Sequence, residues 1–492
     1  MSADARGEAR WHADAVFLLA ATVVLLVARI PVMGVRFFDQ DELEHAHAAW
    51  SVFNGLVPYR DFFEHHTPWY YYALAPFFRA FAVDQSYESA HAFLVFARGV
   101  SLALTALSAG LVFLVGRLGT SRKVGLLAAL FLVGQPVVIQ KTLEIRPDVP
   151  ALGFFIAGLW LLLRALRAHE EAPPRGLRWF LAGGLCFGAS IMCTQKALFI
   201  LPGAFAGLAL WAWAGRGQTL RARIIALLVV AVGVALPVAM TWAWFAVHGG
   251  AAPFVFNNFI LNARWKAHSS RNVLTVLATS WPILALGVVG AAVAIHNFRR
   301  AAARQYGDVV LLCTLGGLIA GLVVVPAAYR QYHLMPLAIA CVFAARGLSF
   351  LVELAQERAR AWVLVAATVP LLILPAVELA RSLGRVDGRQ LARLRYVFEH
   401  TGPADTVLDG WLGTGVFRPH PLYYFFMHGE LRVMLSDAEK DAYLTALESG
   451  RVRPSLIAFD VELAALGPRF VNFLRAHYVS DDGVFYVPRP SP

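Results

Sequence analysis

Apolar runs long enough to cross a lipid bilayer recur along most of this 492-residue chain, and no other feature restricts its fold so tightly. Hydrocarbon offers no water to pair a free backbone group, so runs of about 20 apolar residues read as helices packed into a bundle. Eleven spans can be drawn, at roughly 13–33, 92–116, 124–140, 149–168, 178–194, 197–215, 223–247, 273–297, 308–326, 332–352 and 361–380. A helix rises about 1.5 Å per residue, so each crosses or nearly crosses about 30 Å of hydrocarbon. Composition agrees: 58% of the residues are hydrophobic and 15% charged, against about 45–50% and about 25% in soluble domains. A soluble globule, a disordered chain and a coiled coil are excluded. The expected fold class is a polytopic α-helical membrane protein.

Charge orients the spans. The net charge is +11, yet residues 381–492 hold 13 basic and 13 acidic side chains, so the whole excess lies in 1–380. With the N-terminus (Arg6, Arg10) in the cytoplasm, every even-numbered span ends there. The loops that follow carry Arg117, Arg122 and Lys123; Arg164, Arg167, Arg175 and Arg178; Arg216, Arg221 and Arg223; Arg299, Arg300 and Arg304; Arg358 and Arg360. All five obey the positive-inside rule. Eleven spans then leave the C-terminal segment outside. No basic face on a soluble domain invites nucleic acid. Cys186, Cys193, Cys313 and Cys341 sit inside apolar runs without CxxC spacing and read as small core residues. The first run is too long for a cleavable signal and is expected to remain as the first span. Arginine outnumbers lysine 38 to 5, and alanine is abundant, a composition that points to a GC-rich bacterial genome.

The chain is expected to divide into a transmembrane domain, 1–381, whose first outer loop runs over about 34–91, and a small α/β domain, 382–492, outside the membrane. In the tail, 406–408, 455–459 and 484–487 read as strands and 391–398, 437–447 and 468–477 as helices, with Ser436 and Glu439 as a capping box. The run 69–83 is short and holds Pro76 and Arg79, so it reads as an interfacial helix rather than a span.

Polar residues cluster in the outer loops. The first loop opens with Asp39, Asp41 and Glu42, followed by Glu44, His45 and His47. Carboxylates at a membrane surface can serve as a general base or hold a cation, and Asp39, Asp41 and His45 are the candidate metal ligands. The plainer reading is a solvated acidic first turn favoured by the helix dipole. His65 and His66 suit a metal, a phosphate or a sugar, or are polar anchors at the interface. Arg146 and Asp148 close the second outer loop beside Lys141 and Glu144, and Asp148 is also well placed to cap the next helix. Lys196, Arg264, Lys266, Arg330 and His333 all fall on the outer side. Cations on one face opposite an acidic loop suit an anionic substrate, although each taken singly also reads as an interfacial snorkelling residue.

In order and sidedness, these motifs resemble the GT-C glycosyltransferases. The likeness is to bacterial members of the protein O-mannosyltransferase and lipid A aminoarabinose transferase group. It covers about residues 10–380 and rests on Asp41-Glu42, Gly55-Leu-Val-Pro-Tyr59, Thr67-Pro68-Trp69-Tyr70, Arg146-Pro-Asp148, Lys196, and Tyr332-His333 with Pro336. Many relatives have Lys-Pro-Pro where this chain has His66-Thr67-Pro68, so His65 or His66 stands in for that lysine. The resemblance implies a GT-C bundle and a sugar donor carried on a polyprenyl phosphate. The acceptor is then a lipid, glycan or protein on the outer face of a bacterial cytoplasmic membrane. It makes Asp41 the catalytic carboxylate, supported by Glu42, with Asp148 shaping the acceptor or metal side. Lys196, Arg264 and Arg330 would hold the carrier phosphate. A single in-line displacement inverts the anomeric centre. No P-loop or GxGxxG context calls for a nucleotide, and a divalent cation stays open. Two other readings are a flippase of polyprenyl-linked glycan, which would place charges near the midplane, and an O-antigen ligase- or polymerase-like enzyme, with its key residues in a late outer loop.

Overall fold

The computed structural model describes residues 3–215, 218–265, 270–300, 306–325, 327–386 and 388–490; Arg216, Lys266 and Arg304 lie outside them. Among the described residues nine helices are long and apolar enough to span a membrane. They are Asp14–Met33, Tyr87–Gly119, Asp148–Glu171, Pro174–Cys193, Gln195–Ala214, Leu220–Val247, Arg271–Arg300, Tyr306–Val324 and Arg330–Leu354. The protein is thus a multi-pass helical membrane protein. One of the eleven expected runs differs. The run 124–140 is broken into helices Arg122–Gly134 and Pro136–Lys141, with Gln135 extended between them. Pro136 lacks an N–H and drives the preceding residue out of the helical region, which hydropathy does not register. The run 361–380 lies within Glu357–Gly384, a 28-residue helix.

Local chemistry sets the helix ends. Ser86, Ser121 and Thr219 accept hydrogen bonds from the backbone N–H three residues on and so cap the helices that follow. Small residues set helix spacing. A Cβ on Gly290 would sit 1.8 Å from the Phe343 carbonyl oxygen, and one on Gly347 2.1 Å from that of Leu286. Helices Arg271–Arg300 and Arg330–Leu354 therefore touch backbone to backbone, as small residues allow in membranes. At one end of the bundle Arg346 grips Asp308 through two hydrogen bonds of 2.8 and 2.9 Å and also donates to Thr120.

The loop after the first span folds into helix Gln40–Phe53, a short helix Trp69–Leu74 and a 3₁₀ turn Ala75–Ala80. The run 69–83 is therefore no span. Helix Gln40–Phe53 is buried from Glu42 to Ser51, an unusual state for so polar a segment. It is covered by the tail. Phe417 and Leu394 join Phe38, Leu43, Trp50 and Phe93 in one apolar cluster, and Phe38 and Gln390 exchange two hydrogen bonds of 2.9 and 2.8 Å. His47 adds a contact to His420, Nε2 to Nδ1, of 2.7 Å.

The tail carries strands β1 (Val407–Asp409), β2 (Leu456–Ala458), β3 (Tyr478–Val479) and β4 (Phe485–Pro488). They form one sheet in the order β1-β2-β4-β3, with β1 and β2 parallel and the other pairs antiparallel. Helices Gly388–His400, Asp437–Glu448 and Pro468–His477 match the expected ones, and Ser436 and Glu439 form the capping box. Strand β3, two residues long, is too short to leave a pattern of its own.

Candidate active site

The first turn of helix Gln40–Phe53 is built around a capping box. The Asp39 side chain accepts from the Asp41 N–H, and the Asp39 N–H donates to Glu42 Oε1 at 3.0 Å. Glu42 is fully buried. It receives Arg98 Nε and Nη2 at 2.8 and 2.7 Å and the Ile145 N–H at 3.1 Å. Both Glu42 oxygens are thus engaged within the protein. Its carboxylate ties the loop, helix Tyr87–Gly119 and the segment 142–147 together. Arg98 also donates to the carbonyls of Met33, Arg36 and Phe37.

Arg146 stands at the centre of the neighbouring charges. It meets Asp41 Oδ2 at 2.6 Å, Asp39 Oδ1 at 3.0 Å, and Glu144. Arg36 and Lys141 also reach Glu144, at 2.7 and 2.9 Å, and Lys141 lies 3.4 Å from Asp39. Four carboxylates (Asp39, Asp41, Glu42, Glu144) are thus matched by four cations (Arg36, Arg98, Lys141, Arg146). Burial alone would raise the Asp41 carboxyl, but Arg146 and Lys141 outweigh it and hold Asp41 well below the usual range, so it is ionised. Glu144 is held low in the same way by Lys141, Arg146 and Arg36.

Asp148 does not cap its helix. Pro147 occupies that position, and the Asp148 carboxylate takes Lys196 Nζ at 3.1 Å instead. Lys196 also lies over the Tyr332 ring, 4.2 Å from its centroid. The other proposed phosphate ligands separate. Arg330 turns to the Gln140 side chain at 3.1 Å, and His333 bonds the Tyr329 carbonyl at 3.2 Å. Arg264 is exposed and does not line the cavity, although Ala263 and Trp265 on either side of it do. The expected cation ligands also fail to converge. Asp39 and Asp41 both engage Arg146, and His45 Nδ1 faces the Tyr71 hydroxyl at 3.1 Å. The side chains that do converge are Glu44, Glu64, His65 and His66, with ligand atoms within 4.8 Å of one another. Burial raises the carboxyls of Glu44 and Glu64 and pushes the His66 imidazole down to about 3.

These groups border a cavity of ≈ 850 Å³ at one end of the bundle, within the usual size for small-ligand sites. Asp41, Glu44, His65, His66 and Lys196 form its polar wall, and Phe199, Val324 and Val325 part of an apolar one. Trp265 and Tyr329 come from later loops, and Trp411, His428, Glu430 and Glu462 from the tail. The Tyr329 hydroxyl donates to Glu430 at 2.5 Å and closes the wall between loop and tail. Segments that positive-inside alternation places on one side therefore meet in one chamber. Tyr423 and Tyr424 stay outside it and donate to the Tyr59 carbonyl and to Glu439, each at 2.8 Å.

Comparison with known proteins fits this arrangement. Residues 62–244 match the family model described as dolichyl-phosphate-mannose-protein mannosyltransferase. A search among curated protein sequences returns no match. The solved structure of ArnT from Cupriavidus metallidurans in the apo state superposes with a TM-score of 0.67 at 13% identity, covering 96% of this chain and 97% of that one. The same enzyme bound to undecaprenyl phosphate gives 0.63 at 13% identity over the same shares. An oligosaccharyltransferase of Archaeoglobus fulgidus tethered with an acceptor peptide gives 0.60 at 13% identity, covering 96% of this chain and 74% of that one. The chain shares the fold of these membrane glycosyltransferases. Asp41, Arg146, Asp148 and Lys196 gather at one end of the bundle, in and beside the cavity. Sequence reasoning missed Arg98, although a lone arginine inside an apolar run is itself a signal. It also assigned no role to Glu64. It gave no hint of His428 or Glu430, because only folding brings the tail to the loop.

Proposed function

We propose that this enzyme moves a sugar from a polyprenyl-phosphate carrier to a hydroxyl or amine on a lipid, glycan or protein acceptor. The reaction is placed at the outer face of a bacterial cytoplasmic membrane, with the N-terminus inside and residues 382–492 as an outer domain. The observation that carries this reading is the cavity itself. An ionised carboxylate, Asp41, and an ammonium, Lys196, share one chamber that has an apolar wall. A lipid-linked phosphosugar needs all three. Support also comes from the relatives whose structures hold undecaprenyl phosphate or dolichol-phosphate and from the mannosyltransferase family model.

In this reading the apolar wall takes the first isoprene units. Lys196 turns from Asp148 to the carrier phosphate and stabilises the charge that develops as the glycosidic C–O bond breaks. Asp41 accepts the hydrogen bond of the attacking hydroxyl or amine and takes its proton as the new bond forms. Arg146 keeps Asp41 ionised and aimed, so proton transfer comes late, once the acceptor has become acidic. A single displacement inverts the anomeric centre. Trp265 and Trp411 flank the space left for sugar and acceptor.

The test incubates the purified chain in lipid with a panel of labelled polyprenyl-phosphate sugars and follows release of free polyprenyl phosphate. One donor is expected to be consumed. No release with any donor, even with native membrane extract supplying acceptors, would overturn the reading.

A further inference from the structure

Asp39, Asp41, Glu42, Glu144 and Asp148 each have a lysine or arginine beside them, but Glu44 and Glu64 do not. They are 5% and 0% exposed. The nearest basic atoms are imidazole nitrogens: His65 Nδ1 lies 3.8 Å from Glu44 Oε1 and 3.8 Å from Glu64 Oε1, and His66 Nδ1 lies 3.0 Å from Glu64 Oε1. Glu44 Oε1 and His65 Nδ1 are each buried without a hydrogen-bond partner. Buried carboxylates in proteins are ordinarily paired with a cation or bound to a metal. Among the described residues no lysine or arginine lies within 4.0 Å of either carboxylate.

The four side chains are held in place. The backbone N–H groups of His65 and His66 donate to Glu64 Oε1 at 2.8 and 2.9 Å, which locks 64–66 into one turn. The His65 carbonyl accepts Gln195 Nε2 at 2.9 Å and Asn262 Nδ2 at 2.7 Å. Its imidazole is stacked between Phe63 (interplanar angle 15°) and Trp265 (11°), so its plane is fixed. Glu44 projects from the buried helix Gln40–Phe53. Rigid placement of this kind is what a binding constellation requires.

We propose that Glu44, Glu64, His65 and His66 form a site for one divalent transition-metal ion of the Zn²⁺ class in the cavity wall. Two imidazoles and two carboxylates make a donor set suited to zinc, whereas magnesium and calcium favour oxygen donors alone. Glu44, His65 and His66 all line the cavity, so the ion is reached from it. Bound there, it adds positive charge on the wall that also holds Asp41 and Lys196, where an anionic group of the substrate is drawn. That last step rests on the proposed donor, but occupancy of the site does not.

The test uses the full-length chain in detergent, stripped with chelator and titrated with Zn²⁺, Co²⁺ or Mg²⁺. The expected result is one Zn²⁺ or Co²⁺ per chain, with a visible spectrum of four-coordinate cobalt and a raised melting temperature in Zn²⁺. Glu44→Gln and His66→Gln should each weaken binding at least about tenfold and remove the melting shift. His333→Gln, outside the site, should keep both. The variants are compared only where their melting temperature in chelator equals that of the parent, and His66→Gln decides if Glu44→Gln fails to fold. A parent chain that takes up no ion, variants that bind as the parent does, or displacement by equal Mg²⁺ would each overturn the site. Metal uptake without sugar release would count against the donor reading alone, and release without uptake would count against the metal alone.

Discussion

Replacing Arg98 with methionine should loosen the site from behind, without touching the cavity. Arg98 is 0% exposed and donates to both oxygens of Glu42 and to three backbone carbonyls. Methionine fills much of the volume but leaves Glu42 buried without its cation. Orphaning one partner of a buried pair costs about 3–5 kcal/mol. Glu42→Gln removes the charge from the other side and should cost less, because its one amide oxygen still accepts from Arg98 and from one of the two N–H groups, that of Asp39 or that of Ile145. Combining the two changes removes the orphaned charge, so the double variant should fall short of the sum by about 1–3 kcal/mol. Denaturant unfolding in mixed micelles reads the stabilities, and sugar transfer reads the function. Transfer should fall in Arg98→Met even though Arg98 meets no substrate, because Glu42 ties down the turn that presents Asp41. An Arg98→Met variant within about 1 kcal/mol of the parent, or strictly additive single effects, would refute the reasoning.

Three further outcomes follow from the structure. In the folded protein burial depresses His47 to about 4 and His420 to about 3, against 6.5 unfolded. Unfolded chains therefore bind more protons as pH falls, so tail docking is complete above pH 6.5 and weakens below it. Between pH 7 and 5 His47 should remove about 2 kcal/mol, and His47→Gln should flatten the pH dependence of unfolding. Lys196→Gln should weaken binding of polyprenyl phosphate by about 10–100-fold, the worth of one charge-assisted hydrogen bond, measured by equilibrium binding. Gly290→Ala drives a methyl group toward the Phe343 carbonyl oxygen, 1.8 Å from an ideal Cβ. The helices must part, lowering stability by about 1–3 kcal/mol.

Hydropathy made the bundle legible because a bilayer leaves a 20-residue chain few alternatives. It failed at Gln135–Pro136, where ring sterics rather than polarity break the helix. In the tail, three strands and three helices were readable from pattern and caps, and the two-residue strand Tyr478–Val479 was not. At the site, Asp41, Arg146, Asp148 and Lys196 were picked out because charge beside a membrane is costly and so informative. Their pairing was not readable: Asp148 looked like a helix cap, and Arg330 looked free for phosphate. Both depend on contacts between segments far apart in sequence, Asp148 with Lys196 and Arg330 with Gln140. The metal assignment moved for the same reason. Spacing along one helix suggested Asp39, Asp41 and His45, whereas folding brings Glu44 against the turn 64–66.

The central claim is that Asp41 acts in the chemical step and Lys196 in holding the carrier. The most direct measurement compares Asp41→Asn with the parent in two readouts, polyprenyl-phosphate binding and single-turnover sugar release. Asparagine keeps the shape of the side chain and can still accept from Arg146. Release should fall by about 10²–10⁴-fold, the usual worth of a general base, while binding stays close to that of the parent. Undiminished release, or a loss that lies wholly in binding, would contradict the account.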